Sequence, residues 1–322
     1  MREITYCEAL REALREEMRK DQSVFMIGED VGRFGGWFTV SKGLLAEFGG
    51  ARIKDTPISE SAMIGLGVGA ALTGLRPIVD IYFIDLVAVC MDPIVNLAAA
   101  LGYVSEGRVK VPLVIRVTGG GTGQGHDHGK SLEAWFVHTA GLKVAMPSTP
   151  YDAKGLLKTA ITGDDPVIFI EHKLLYFKKG PVPEEEYTIP FGEADIKKEG
   201  NQFTIVATSL MVREALKAAE ELEKEGISAE VIDPRTLIPL DIQTIVSSVR
   251  KTSRLIVVHE ACERGGIGAE IVRQVVDRAF DSLDVAPKVI GAKNIPLPYS
   301  KPLESAAIPS AKDIIRTVKE LM

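Results

Sequence analysis

Cysteine is nearly missing: the 322 residues contain 3, at positions 7, 90 and 262, far apart and without Cys-x-x-Cys spacing. An odd, scattered set excludes a disulfide framework and points to a reduced, cytoplasmic setting. Positive charge is also in short supply. With 38 Lys and Arg against 44 Asp and Glu, the formal net charge is −6 and the pI about 5.6, so neither nucleic acid nor an anionic membrane is the expected partner. Uninterrupted apolar runs of membrane-spanning length are absent as well. The longest candidate, "PIVDIYFIDLVAVCMDPIVNLAAALGYV", is broken by Asp80, Asp85, Asp92 and Pro93, and reads as a buried strand followed by a helix. The opening "MREITYCEALREALREEM" lacks the apolar centre of a leader and reads as an amphipathic helix. No internal repeat or low-complexity segment is visible.

What is present is a soluble composition, 46% hydrophobic and 25% charged, in a chain long enough for two cores. Strand-like runs at 24–28, 77–83, 112–117, 143–147 and 166–171 alternate with helical patterns at 7–20, 41–48, 60–73, 86–101, 132–138 and 150–162. That alternation predicts a parallel sheet covered by helices. The texture changes at "KKGPVPEEEYTIPFGEADIKKEG" (178–200), which reads as an exposed linker. A second series follows: strands at 203–208, 228–233, 254–260 and 287–292, and helices at 210–225, 241–250, 267–280 and 310–321. The expectation is an α/β protein of two domains with mostly parallel sheets, residues 1–180 and 201–322, joined by 181–200.

Two constellations carry candidate chemistry. In "KDTPISESAMIGLGVGAALTG" (54–74), Glu60 opens a helix holding Gly65, Gly67 and Gly69, each costing roughly 1 kcal/mol of helix propensity. On position alone the acid is a helix-start residue favoured by the macrodipole. The glycines add that another backbone can approach this helix, as in an interior or a subunit contact that would carry Glu60 inside. A buried acid has a raised pKa and can share a proton with a ligand nitrogen. The second constellation is "TGGGTGQGHDHGKSLEAWFVH" (118–138), a glycine-rich loop leaving a buried strand and presenting His126, Asp127, His128 and Lys130. Such a loop sits where α/β proteins place their sites. His-x-His can ligate a metal, but further ligands at usable spacing are missing. Two dinucleotide look-alikes, 65–70 and 265–271, read as packing glycines: no strand feeds the first, and the second lacks the third glycine.

Taken together, "GEDVG" (28–32), "DTPISE" (55–60), "GAALTGLRPIVDIYF" (69–83), "HGKSLEAWFVHTAGLKVAMPSTPYDAKGLLKTAI" (128–161), "DPVIFIEHKLLY" (165–176) and "VIDPRTLIPLD" (231–241) resemble the β subunit of thiamine-diphosphate-dependent 2-oxo acid dehydrogenases. "EHKLLY" and "YTIPFGEA" look most like the acetoin dehydrogenase branch. The resemblance implies a transketolase-like pyrimidine-binding domain followed by a transketolase C-terminal-like domain. It assigns Glu60 to the ring nitrogen N1′ of thiamine diphosphate, where its proton exchange drives deprotonation of the thiazolium carbon. Ile58, Tyr82 and Leu86 match positions flanking the pyrimidine, and Leu86 replaces what is often an aromatic residue. His128 matches a histidine assigned to acyl transfer to lipoamide, with Gly129-Lys130 where many relatives carry Ser-Gln. His126 matches a second histidine of some members. Glu29 and Asp92 match acids of a proton-relaying tunnel, with a structural hydrogen bond as the alternative. Leu113, Ala160, Gly163 and Asp165 match the region of a structural potassium ion.

The same resemblance implies partners. No Gly-Asp-Gly segment leading to a metal-binding Asn is present, so an α subunit would hold the diphosphate through Mg²⁺, giving an α2β2 assembly. A lipoyl-bearing acyltransferase core would accept the acyl group. Pyruvate, a branched-chain 2-oxo acid and acetoin all remain open as substrates. The competing readings are a nicotinamide oxidoreductase and a non-catalytic partner subunit.

Overall fold

Runs such as "VFMIG" and "PVIFIE" have no polar alternation, so strands made from them must be covered on both faces. A computed structural model, describing residues 1–322, shows how this is done. The chain forms two units, Met1–Gly119 with Trp135–Phe191, and Gly120–Ala134 with Gly192–Met322.

In the first unit the strands Lys143–Ala145, Val167–His172, Val114–Gly119, Arg76–Phe83, Val24–Gly28 and Ile53–Asp55 lie side by side in that order, all parallel. Their register sets Gly28, Asp80, Arg116 and Phe169 in one row across the sheet. Because every strand runs the same way, the segments that follow their carboxyl ends emerge at one edge, the usual place for a site in such sheets. The helix Tyr6–Lys20, opened by a Thr5–Glu8 capping box, packs on Pro150–Thr162. Between them Lys154 is fully buried and its Nζ lies 2.6 Å from Glu16, a pairing that compensates for the lost hydration.

The helix Glu60–Leu72 faces the sheet through Met63, Ile64, Gly67, Val68 and Ala71. A Cβ on Gly67 would lie 2.8 Å from Val79 and 3.0 Å from Leu113, so glycine is what allows the close seat. Gly65 and Gly69 have nothing within 4 Å, and with Leu66 and Leu72 they form an uncovered face. The helix expected over 86–101 is compound. Ile84–Val104 is a 21-residue helical stretch, with mean hydropathy 1.8 over its most apolar 18 residues, long and apolar enough to cross a membrane by length and composition alone. It is broken at Cys90, and it widens to π geometry over Pro93–Ala98, where Pro93 removes a helical donor. It packs on Glu60–Leu72, and Ser61 donates to the carbonyl of Val89.

In the second unit the parallel strands Lys288–Ala292, Leu255–Cys262, Phe203–Ala207 and Ala229–Asp233 are followed at the edge by antiparallel Asp195–Lys198. The helices Leu210–Lys224 and Ala311–Glu320 close a core around Phe203, Ile205, Met211, Val231, Ile256 and Ile314. The segment read as a linker is more structured than its composition suggests. Lys179–Val182 pairs antiparallel with Arg2–Thr5, Ile189 is buried, and Asp195–Lys198 is the edge strand.

The glycines of 60–72 can be tested one at a time. Gly67→Val should lower stability to urea unfolding by about 1–3 kcal/mol through overpacking, whereas Gly65→Ala should raise it by up to ~1 kcal/mol through propensity. Equal effects at both positions would refute this division of the helix.

Candidate active site

At the centre of the first sheet Arg116, 2% exposed, is held between two acids. Its Nη1 donates to Asp80 at 2.6 Å, and its Nε and Nη2 donate to both oxygens of Glu171 at 2.7 and 2.9 Å. The buried Tyr176 hydroxyl also donates to Glu171. Burial pushes both carboxyls upward, while the guanidinium between them pulls them down.

Glu60 is buried at 6% exposure, and no donor within the chain reaches its carboxyl. It nevertheless acts on its surroundings. Burial and, next, the charge of Glu60 push the Cys90 thiol up to about 12. The carboxyl of Glu29 is raised by burial first and then by Glu60, Asp30 and Asp80. Tyr82 is half-buried at the end of strand Arg76–Phe83, its hydroxyl donating to Asp30 at 3.3 Å and its ring 5.6 Å from Trp37. Ile58 is 80% exposed, and Leu86 is partly buried at the end of the turn Ile84–Leu86. Asp92 is exposed and accepts from Asn96 Nδ2 at 2.7 Å. A carboxyl of a buried residue that no donor in the chain reaches can share a proton with a ligand nitrogen.

In the second unit the loop 120–131 carries the histidines. Its backbone is held by two buried acids: Glu260 accepts the Gly121 N–H at 2.6 Å, and Glu304 accepts that of Gly123 at 2.7 and 2.8 Å. The loop closes on itself through Gly120 N–H and the carbonyl of Lys130, 3.1 Å apart. His126 and Lys130 border a cavity of about 450 Å³ walled by Leu132, Ala261, Ile295 and Leu297. Asp127 and His128 are adjacent, Oδ1 to Nδ1 at 3.4 Å. Nowhere do three or more His, Cys, Asp or Glu side chains stand where they could hold a metal ion.

The region matched to potassium carries ion pairs, with Arg76 2.9 Å from Asp164. Arg76 Nη1 donates to the carbonyls of Ile161 at 3.1 Å and Gly163 at 2.6 Å. The carbonyl of Leu113 accepts the Val167 N–H at 2.9 Å, and Asp165 pairs with Lys143 at 2.7 Å; Ala160 is buried in the adjoining helix. The dinucleotide look-alikes have other uses. Residues 65–70 lie inside Glu60–Leu72, and a Cβ on Gly266 or Gly268 would meet the His259 ring at 2.4 or 2.9 Å.

Comparison with known proteins accounts for both units. Residues 2–179 match the transketolase pyrimidine-binding domain and residues 192–314 the transketolase C-terminal domain. The pyruvate dehydrogenase E1 component subunit beta of Bacillus subtilis is 46% identical, spanning 100% of this chain and 99% of that protein. The acetoin:2,6-dichlorophenolindophenol oxidoreductase subunit beta of Cupriavidus necator is 46% identical over 98% of this chain and 96% of its own length. The chain belongs to this family of dehydrogenase β subunits. A solved split-gene transketolase, described as an inactive β4 tetramer, matches the β subunit with a TM-score of 0.81 over 98% of this chain and 97% of that one; at 22% identity it speaks to the fold alone.

Within the first unit, Glu60, Glu29 and Tyr82 lie among mutually interacting acids, while Asp92 is bonded locally. The sequence reading missed the Arg116 pair with Asp80 and Glu171, although a lone charge inside "PLVIRV" and another closing "PVIFIE" were available signals. It also missed Glu133, for which there was no signal. This side chain of the β subunit is 1% exposed and both its oxygens lack a partner. Burial, and then the charge of Glu260, push it up to about 7.

Glu133 sets a pH dependence. An acid whose pKa is higher folded than unfolded binds more protons in the native state between the two values. Its contribution is therefore best below the unfolded pKa and is lost as pH rises toward the folded one. Glu133→Gln should unfold at a higher temperature than wild type at about pH 8 and at nearly the same temperature at about pH 5, with a limiting difference of roughly 3 kcal/mol. A gap that does not change with pH would mean that the ionisation of Glu133 is not its source.

Proposed function

We propose that the chain is the β subunit of a thiamine-diphosphate-dependent 2-oxo acid or acetoin dehydrogenase, active only when an α subunit completes it. The observation that carries this is Glu60, a buried carboxyl with no donor of its own at the start of a helix. Thiamine diphosphate, when bound, supplies the electron sink for cleaving a C–C bond beside a carbonyl. The role of Glu60 is to hold the pyrimidine nitrogen and exchange a proton with it. Ile58, Tyr82 and Leu86 are assigned to the ring's flanks, Leu86 packing against it without stacking. Glu29, whose raised pKa keeps its proton to higher pH than an ordinary carboxyl, suits a proton relay more than Asp92, which is exposed and bonded to Asn96.

The finer composition belongs to the same proposal. The α subunit holds Mg²⁺ and the diphosphate in an α2β2 assembly, and the open face of Gly65 and Gly69 suits a subunit contact. A lipoyl group on an acyltransferase core takes the acyl product, with His128 delivering the proton to the leaving sulfur. Pyruvate and acetoin enzymes occur among the relatives at equal identity, so the substrate is to be read from a panel assayed on the co-expressed subunits.

Two outcomes are expected. The isolated chain, given thiamine diphosphate and Mg²⁺, should not decarboxylate any 2-oxo acid or cleave acetoin, and co-expression with its α subunit should restore turnover. Full activity of the chain alone would overturn the split-enzyme reading. In the assembled enzyme, Glu60→Gln should slow proton exchange at the thiazolium carbon by a factor of hundreds or more, within the ~10²–10⁴ of acid–base groups. Exchange near the wild-type rate would remove Glu60 from the chemistry.

A further inference from the structure

The loop bearing His128 follows a path that few side chains could share. Gly125 has φ +75°, and a Cβ there would lie 2.5 Å from the ring of Tyr299. At Gly129 a Cβ would approach the Gly125 carbonyl to 2.7 Å and Leu297 to 3.3 Å. These two glycines let the C-terminal segment press onto the loop. Tyr299 uses that proximity: its hydroxyl donates to Asp127 Oδ1 at 2.7 Å, and its ring meets His126 edge-on at 5.8 Å. The same Asp127 oxygen lies 3.4 Å from His128 Nδ1.

From this chain of contacts we infer that Asp127, anchored by Tyr299, is a positioning residue for His128: its carboxylate accepts the Nδ1 proton and leaves Nε2 as the nitrogen that gives and takes protons. The inference rests on the reading of His128 as an acid–base group. Donation from Tyr299 holds the Asp127 carboxyl below the usual range, so it remains an anion and orients the ring without taking the proton itself. Fixing one tautomer matters because a neutral imidazole exposes a single basic nitrogen, and only a nitrogen facing the reacting group can serve it. It also gives the Gly129-Lys130 sequence a physical reason. Any side chain at position 129 would force the loop off Leu297 and the Gly125 carbonyl, and would disturb the seat of Asp127.

The test uses two kinds of readout. ¹⁵N-histidine NMR of the full chain, whose 5 histidines are few enough to assign by substitution, reports the His128 tautomer directly. Wild type should show the Nδ1–H form in excess, and Asp127→Asn should shift the population toward Nε2–H. In the assembled enzyme, D127N should slow acyl transfer to lipoamide roughly tenfold, a fraction of the ~10²–10⁴ available to an acid–base group, while dye reduction changes less. Y299F keeps the ring that seats the loop and removes the anchor, so a loss of roughly threefold to fivefold in the same transfer is expected, about one hydrogen bond. A tautomer ratio unchanged by D127N overturns the inference. His128→Ala with wild-type transfer instead overturns the catalytic reading beneath it, and with that the purpose of the pair.

Discussion

Arg116 is the fixed point of the first unit. Three adjacent parallel strands contribute Asp80, Arg116 and Glu171, and the guanidinium bonds to an acid on each side. Each of these charges would be expensive alone, since desolvating an ion costs several kcal/mol even after relaxation. Removing the arginine would strand two carboxyls in the sheet, so the trio is kept or lost as a unit. Its reach extends toward the site. Asp80 adds to the field that raises Glu29, and Glu171 takes the hydroxyl of Tyr176, on whose ring Phe38 stacks at 4.4 Å. The polar machinery around Glu60 is therefore built on a sheet that is already electrostatically committed.

The fold was legible because the strands are apolar runs and the helices are amphipathic; both periodicities survive in a single sequence. Elements whose reason for existing lies elsewhere in the chain were not. Lys179–Val182 is a strand because Arg2–Thr5 lies beside it, and Asp195–Lys198 because Ala229–Asp233 offers an edge. Local composition, rich in Pro, Glu and Lys, argued for a linker and could not register either partner. The π turn at Pro93–Ala98 is a similar case: proline was visible, but whether the helix stops, kinks or widens depends on the packing around it.

The site shows the same division. Glu60 and His128 could be singled out from an acid before small residues and a histidine in a glycine loop, with the family resemblance assigning their roles. Asp127 was noted only as one polar residue of that loop, because its significance comes from Tyr299 far along the chain. Glu133 lies in an ordinary amphipathic stretch, and nothing in "SLEAWF" discloses that its carboxyl has lost both water and partners. Arg76, remote in sequence from the residues matched to potassium, donates to the carbonyls of Gly163 and Ile161, a contact that no local pattern discloses.

The clasp on the histidine loop has a consequence for biosynthesis. Gly123 is held by Glu304, 181 positions later. A ribosome adding roughly 5–20 residues per second needs on the order of ten to thirty seconds to travel between them. During that interval the strands flanking the loop have emerged while the groups that order it have not yet been translated. The nascent chain thus carries its most chemically equipped segment unclasped until near the end of its synthesis, and the loop is among the last parts of the subunit to acquire its shape.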